Sequence, residues 1–282
     1  MDFASGLSQR RYDELVTSAE RAVVGLDFDG TLAPIVEDPK DAHIHPDAGA
    51  ALVELAPLVE AVAVVTGRPV RQAVSLGELD EIGAQVAEGG GEFLVLGHYG
   101  NERWSARDRR VISPRPPKGL ATLMSELPDL LRRHGLGEAH IESKGGLAVA
   151  VHTRRMDDPD GAQETLTPIL EKAARSHGLV TEPGRMVVEV RASGMDKGSA
   201  VRSLQKQLHA DAMVFVGDDL GDLEAFDAVA DLRRRGMVGF LVCSGSDEQQ
   251  ALVDKADLVV DGPDGVVAFL HQLAADVARP AG

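Results

Sequence analysis

The sequence predicts an α/β chain: a parallel sheet with helices on both faces, interrupted by a smaller α+β insert. Three observations carry this. Near-continuous apolar runs of strand length alternate with helical patterns over residues 22–104 and again over 196–278. The alternation breaks at the Pro-rich "SPRPPKG" (113–119). From there to residue 192 the order is helix, two strands, helix, two strands.

Residues 1–20 read as a short polar lead-in with helical character. "AVVGLDF" (22–28) is the first strand, and "DAGAALVELAPLV" (47–59) repeats apolar residues at helical spacing. "AVAVVTG" (61–67) is a strand, and "PVRQAVSLGEL" (69–79) is helical with Pro69 in its first turn. "FLVLGHYGNERW" (93–104) contains another apolar strand. In the insert, "LATLMSELPDLLRRHG" (120–135) is a long helical segment that Pro128 threatens to break. "AHIESKG" and "GLAVAVHTRR" meet at Gly145–Gly146 as a hairpin. "DGAQETLTPILEKAARSHG" (160–178) is helical, and "LVTEP" and "RMVVEVRA" form a second hairpin about Gly184. The α/β pattern then resumes with the helix "DKGSAVRSLQKQL" (196–208), whose start suits Gly194 and Asp196. The strand "AMVFVGDD" (212–219), a helix, two strands and a last helix follow. The chain thus divides into residues 1–113 (core, first part), 114–192 (insert) and 193–282 (core, second part).

Composition narrows the function. With 29 basic against 45 acidic residues the net charge is −16, opposite to that of a nucleic-acid binder, and 4% aromatics leave little for stacking bases. No run reaches the roughly 18 apolar residues of a membrane span, and no signal core is visible, so a soluble cytoplasmic protein is expected. Cys243 stands alone in "GFLVCSG", which excludes an intrachain disulfide and suits a small buried apolar role. Oligomeric state is left open.

In open α/β sheets, ligands bind beyond the carboxyl ends of the strands, and three such ends here carry polar groups. In "LDFDGT", Asp27 and Asp29 are two apart, so period-two alternation points them alike and turns Phe28 toward packing. Carboxylates this close repel unless a cation or shared proton compensates. In "VVTGR", Thr66 and Gly67 offer a hydroxyl and an unhindered N–H to an anion, or simply cap a helix. In "VFVGDDLGD", Asp218, Asp219 and Asp222 cluster between glycines, as ligands for a hard cation such as Mg²⁺ or as favourable charges at a helix start. Lys197 in "MDKGSA" lies at a helix start, where the dipole disfavours it.

The order DxDGT, Thr, Lys, GDDxxD resembles the haloacid dehalogenase-like phosphatase superfamily. The longer runs "LDFDGTLAPI", "VAVVTGRP", "IESKG", "VVEVR", "DKG" and "VFVGDDLGD" resemble its trehalose-6-phosphate phosphatase family, over roughly residues 22–270. The resemblance implies a Rossmann-like core with an αββ-αββ cap and Mg²⁺-dependent hydrolysis of trehalose 6-phosphate. It assigns Asp27 as nucleophile, forming an aspartyl-phosphate, and Asp29 as proton carrier. Mg²⁺ would bind the Asp27 carboxylate, the Asp29 backbone carbonyl and Asp218. Thr66 and Lys197 would hold the phosphate, with Asp222 steadying Lys197 or a metal-bound water and Asp219 in a supporting place. Gly67 would offer its N–H to the phosphate, and Arg68 would support phosphate binding or cap closure.

The cap would read the sugar through Glu142, Lys144 and Glu189, with His152 and Arg154 as weaker candidates. Closure would hinge near 111–116 and 191–195. Three positions depart from the family pattern: Gly221 stands where a Thr is usual, Tyr99 where a His is usual, and Ala192 where a Pro is usual. The competing expectations are a phosphatase of another sugar phosphate, such as sucrose 6-phosphate or a mannosyl-glycerate phosphate, and a catalytically silent sugar-phosphate sensor.

Overall fold

The computed structural model describes residues 1, 3–245 and 250–279. The chain forms two compact units, residues 1–113 with 196–282 and residues 114–195. The first unit opens with α1 (Gly6–Thr17), β1 (Ala22–Leu26), α2 (Ala48–Leu55), β2 (Ala61–Val65), α3 (Val70–Leu76), α4 (Leu79–Glu88), β3 (Phe93–Gly97), β4 (Glu102–Ser105) and β5 (Val111–Ile112). The second unit holds α5 (Leu120–Arg133), β6 (His140–Lys144), β7 (Ala148–His152), α6 (Pro159–Ser176), β8 (Val180–Gly184) and β9 (Val187–Arg191). The chain then re-enters the first unit with α7 (Lys197–Leu208), β10 (Ala212–Gly217), α8 (Leu223–Arg234), β11 (Val238–Gly245), α9 (Gln250–Val253), β12 (Leu258–Asp261) and α10 (Gly262–Ala278).

The large sheet has the order β12-β11-β10-β1-β2-β3-β4-β5, parallel from β12 to β3 and antiparallel at β4 and β5. Its central strands are apolar throughout because both faces are covered. Alternation divides their side chains between two layers. Val24, Leu26, Val62, Val64, Val214 and Val216 pack with α1, α2 and α10, whereas Val23, Ala63, Val65, Met213 and Phe215 pack with α7 and α8. No helix among the described residues is long and apolar enough to cross a membrane.

Three elements differ from the sequence expectation. The helix expected over 69–79 ends at Gly77, Glu78 turns left-handed (φ 51°), and α4 begins. Leu79, Ile82 and Val86 give α4 its buried stripe, a spacing too sparse to stand out among its Gly and acidic residues. Residues 93–104 form a hairpin, β3–β4, through a turn in which His98, Tyr99 and Gly100 all have positive φ (47°, 58° and 95°). Pro128 does not break α5. It lies on the exposed side, while Leu123, Leu127 and Leu131 hold the helix to the insert's core.

The second unit is a four-stranded antiparallel sheet, β6-β7-β9-β8, with α5 and α6 on one face. Its first turn runs through Gly145 (φ 60°), Gly146 (φ 76°) and Leu147, a three-residue connection whose two glycines take left-handed backbone. The second hairpin turns at Arg185–Met186, just past Gly184. The unit extends to Met195, beyond the 192 read from the sequence.

One buried carboxylate ties the first unit's N-terminal helix to its sheet. Asp257 accepts from Arg11 Nη1 (2.6 Å), Arg233 Nη2 (2.6 Å) and the Leu241 N–H (3.0 Å). Removing it strands two guanidiniums, one of which already has a buried Nε without a partner. Asp257→Ala is expected to lower stability by about 3–5 kcal/mol, read as a shift of the urea midpoint. A loss below about 1 kcal/mol would contradict the network's role.

Candidate active site

The site is built where β1, β2 and β10 end. Asp27 follows β1 directly, and its N–H donates to the Val216 carbonyl (2.9 Å), so the ladder fixes its backbone. It shares strand parity with Val23 and Gly25, which directs its side chain to the α7 layer. Lys197, the first residue of α7, lies there with Nζ 2.7 Å from Asp27 Oδ1 and 2.7 Å from Asp222 Oδ1. All three side chains are buried. The other oxygen of Asp222 accepts the N–H groups of Asp218 (3.0 Å) and Asp219 (3.3 Å). Asp219 is exposed and accepts from the Gly221 N–H (2.8 Å).

Asp218 is the member left incomplete. Its Oδ1 is buried with no hydrogen-bond partner. Ligand atoms of Asp27, Asp218 and Asp222 lie within 4.8 Å of one another. Gly30 makes room: at φ 75° it approaches so closely that a Cβ would stand 2.0 Å from Asp218 Oδ2. The Gly30 carbonyl is held by the buried Ser244 hydroxyl (2.7 Å) at the end of β11.

The electrostatics follow from one ammonium among several carboxylates. Burial raises Asp27 well above the ordinary carboxylate range; Lys197 opposes this, and Asp222 and Asp218 add to it. Burial likewise raises Asp222, against Lys197. Asp218 is pushed up to about 7 by burial, then by Asp219 and Asp222, with Asp29 contributing. Burial would lower Lys197, but Asp222 and Asp27 together hold it well above its usual value. Burial, Asp218 and Asp222 push the Cys243 thiol up to about 11, so it is an inert buried residue. The partnerless Asp218 oxygen and an all-carboxylate donor set fit a small hard cation. Asp27 and Asp218 have oxygens to give, whereas both oxygens of Asp222 are already engaged.

Asp29 is placed differently from Asp27. The strand stops at Leu26 and the chain bends at Phe28, so strand alternation does not reach it. Its carboxylate meets Arg68, whose Nε donates to Oδ2 (2.7 Å) and Nη2 to Oδ1 (2.5 Å). Thr66, buried at the end of β2, accepts the Arg68 N–H on its hydroxyl (3.1 Å) and does not cap α3. The positive-φ turn pins this loop: the His98 N–H donates to the Arg68 carbonyl (3.0 Å) and the Tyr99 N–H to that of Thr66 (2.9 Å). Tyr99 packs against Gly67, where a Cβ would be 2.8 Å from its hydroxyl.

In the second unit, strand register puts Glu142 and Lys144 of β6 and Glu189 of β9 on the sheet face away from α5 and α6. Ala148 and Ala150 lie between them on β7. Lys144 Nζ is 2.5 Å from Glu189 Oε2, and His152 Nε2 is 2.9 Å from Glu142 Oε2. Glu189 Oε1 is buried without a hydrogen bond. Arg154 is exposed in the turn after β7.

Sequence reasoning passed over two members of these constellations. Ser244 was legible as the polar residue closing a further parallel strand, "LVCS". Arg191, buried on the same face as Glu189 and 3.0 Å from Glu182, was legible by its period-two spacing from Glu189.

A profile of the trehalose-phosphatase family matches residues 25–103 and 134–258. An uncharacterised glycosyl hydrolase of Mycobacterium tuberculosis is 32% identical over 92% of this chain, although the chain spans only 19% of that protein's length. Trehalose-phosphate phosphatase B of Arabidopsis thaliana is 29% identical over 96% of this chain and 71% of its own. In three dimensions, the C-terminal domain of Candida albicans trehalose-6-phosphate phosphatase superposes with a TM-score of 0.70 at 18% identity, covering 95% of this chain and 96% of that one. The fold is that of these phosphatase domains, and the profile spans most of both units: the chain belongs to the trehalose-phosphatase family.

Proposed function

We propose that the chain is a phosphoric monoester hydrolase that converts trehalose 6-phosphate and water to trehalose and phosphate. The observation that carries this is the Lys197 ammonium bridging Asp27 and Asp222 beside the partnerless oxygen of Asp218. That arrangement suits a dianionic phosphate and a cation, and it would be costly in a site with no ligand to receive.

In this reading one Asp27 oxygen attacks phosphorus and the bond from phosphorus to the sugar oxygen breaks, leaving an aspartyl-phosphate. Asp29 gives its proton to the departing sugar oxygen. It then takes one from the water that attacks phosphorus, and cleavage of the acyl-phosphate bond frees Asp27 and phosphate. Thr66, the Gly67 backbone and Lys197 bind the phosphate oxygens, and Asp222 keeps Lys197 in place. Bound Mg²⁺, held by Asp27, Asp218 and the Asp29 carbonyl, would offset the repulsion between nucleophile and phosphate. Asp219 shapes the loop carrying Asp218 and Asp222. Glu142, Lys144 and Glu189 read the sugar hydroxyls, which carboxylates and ammonium groups bind well. Carboxylates poised for a disaccharide favour trehalose 6-phosphate over a small phosphate monoester. Aromatic-poor composition and strong net negative charge favour no nucleic-acid partner.

Phosphate release should be measured over trehalose 6-phosphate, sucrose 6-phosphate, a mannosyl-glycerate phosphate and an aryl phosphate, with Mg²⁺ or with EDTA. A preference for trehalose 6-phosphate, lost with EDTA, is expected, and Asp27→Asn should cut turnover by at least about 10³-fold. A preferred rival sugar phosphate would overturn the substrate, and an active Asp27→Asn the mechanism. Glu189→Gln should reduce kcat/KM for trehalose 6-phosphate by more than about tenfold while sparing the aryl phosphate. Equal losses on both would make Glu189 a structural residue.

A further inference from the structure

Arg68 carries a role that its motif does not reveal. The sequence reading groups it with Gly67 as a substrate contact. Yet three of its donors are already used: Nε and Nη2 grip both oxygens of Asp29, and Nη1 donates to the Pro39 carbonyl (2.7 Å). Its guanidinium carbon stands 5.5 Å from the ring centre of Phe28, the fully buried residue between the two aspartates. Its backbone is fixed as well, by Thr66 Oγ1 on one side and the His98 N–H on the other. A side chain held at four points on a backbone held at two more is a fixture, and the group it presents is a fork matched to one carboxylate.

We infer that Arg68 is the positioning residue for Asp29, setting the angle of the proton carrier toward the leaving oxygen and, later, toward water. The inference rests on the proposed role of Asp29. Asp29 is partly exposed and lies past the end of the strand, so backbone pairing alone does not fix its side chain. Each carboxylate oxygen has two lone pairs. The fork takes one on each oxygen and leaves one on each for the proton in transit. Phe28 gains a second purpose: besides filling the core it is the platform on which the fork rests. A lysine at position 68 would supply charge without the two-point grip.

The test compares Arg68→Ala, Arg68→Lys and Asp29→Asn on trehalose 6-phosphate and on p-nitrophenyl phosphate, whose leaving group departs without a proton. For both Arg68 variants we expect kcat on trehalose 6-phosphate to fall about 10- to 100-fold, less for lysine than for alanine, with KM within about threefold of wild type. On p-nitrophenyl phosphate, Arg68→Ala and Asp29→Asn should both release about one equivalent of nitrophenol in a burst before slow turnover. The burst also certifies a folded site holding an intact Asp27. A raised KM with unchanged kcat in Arg68→Ala, beside an impaired Asp29→Asn, would overturn the inference alone and return Arg68 to substrate binding. Loss of the burst in both Arg68 variants would likewise overturn it, making Arg68 a prop for the whole site. Wild-type turnover by Asp29→Asn would overturn the proton-carrier role and the inference with it.

Discussion

One buried ammonium holds this site together. Lys197 stands 2.7 Å from a carboxylate on each side, and all three groups are out of water. Any one of them isolated in the interior would cost several kcal/mol; together they are tolerable because each charge meets another. The start of α7 is a poor place for a cation, by roughly 0.3–1 kcal/mol, and the two carboxylates more than offset that. The arrangement still contains more negative charge than positive, and the surplus collects on Asp218, whose buried oxygen has nothing to meet. The proposed function would use that imbalance to draw in a cation, which would in turn make an anionic substrate acceptable to a chain of charge −16.

The fold supplies this geometry by adjacency. β1 lies between β10 and β2 in the parallel sheet, so Asp27, the acidic loop and the Thr66–Arg68 loop emerge side by side. The loop after β2 is braced by a turn in which two non-glycine residues adopt left-handed backbone, a strain of order 1–3 kcal/mol each. That strain persists because both N–H groups of the turn are spent on the Thr66 and Arg68 carbonyls. Precision in the loop after β2 is obtained at the expense of local stability, as is common at functional sites.

What the sequence discloses here follows from how local each signal is. Asp27, Lys197, Asp218 and Asp222 were legible because each sits within a few residues of an apolar strand or a helix start, and side-chain parity carries the argument from there. The cap strands were legible from period two, which also put Glu142 and Lys144 on one face. The Arg68–Asp29 pair was not: its partners are 39 residues apart, and no spacing rule joins the ends of neighbouring strands. The turn at His98–Gly100 was only half marked: Gly97 and Gly100 signal a turn, but nothing in a His-Tyr pair signals left-handed backbone at both. α4 was hidden because only three of its residues make its apolar stripe.

We propose that the carboxylate cluster is complete only with a divalent cation. Its most direct test is the melting temperature as a function of Mg²⁺, at fixed ionic strength, at pH 8 and at pH 5. Asp218 is raised to about 7, so between the ordinary carboxylate range and that value the folded chain keeps a proton the unfolded chain has lost. Metal-free stability therefore falls as pH rises through that window, and the cation must displace the proton at pH 5 but not at pH 8. At one hundred times Kd the expected stabilisation is about 2.7 kcal/mol, a rise of several degrees, present at pH 8, much reduced at pH 5, and absent in Asp218→Asn. A melting temperature that ignores Mg²⁺ at pH 8, or responds equally in Asp218→Asn, would contradict the account.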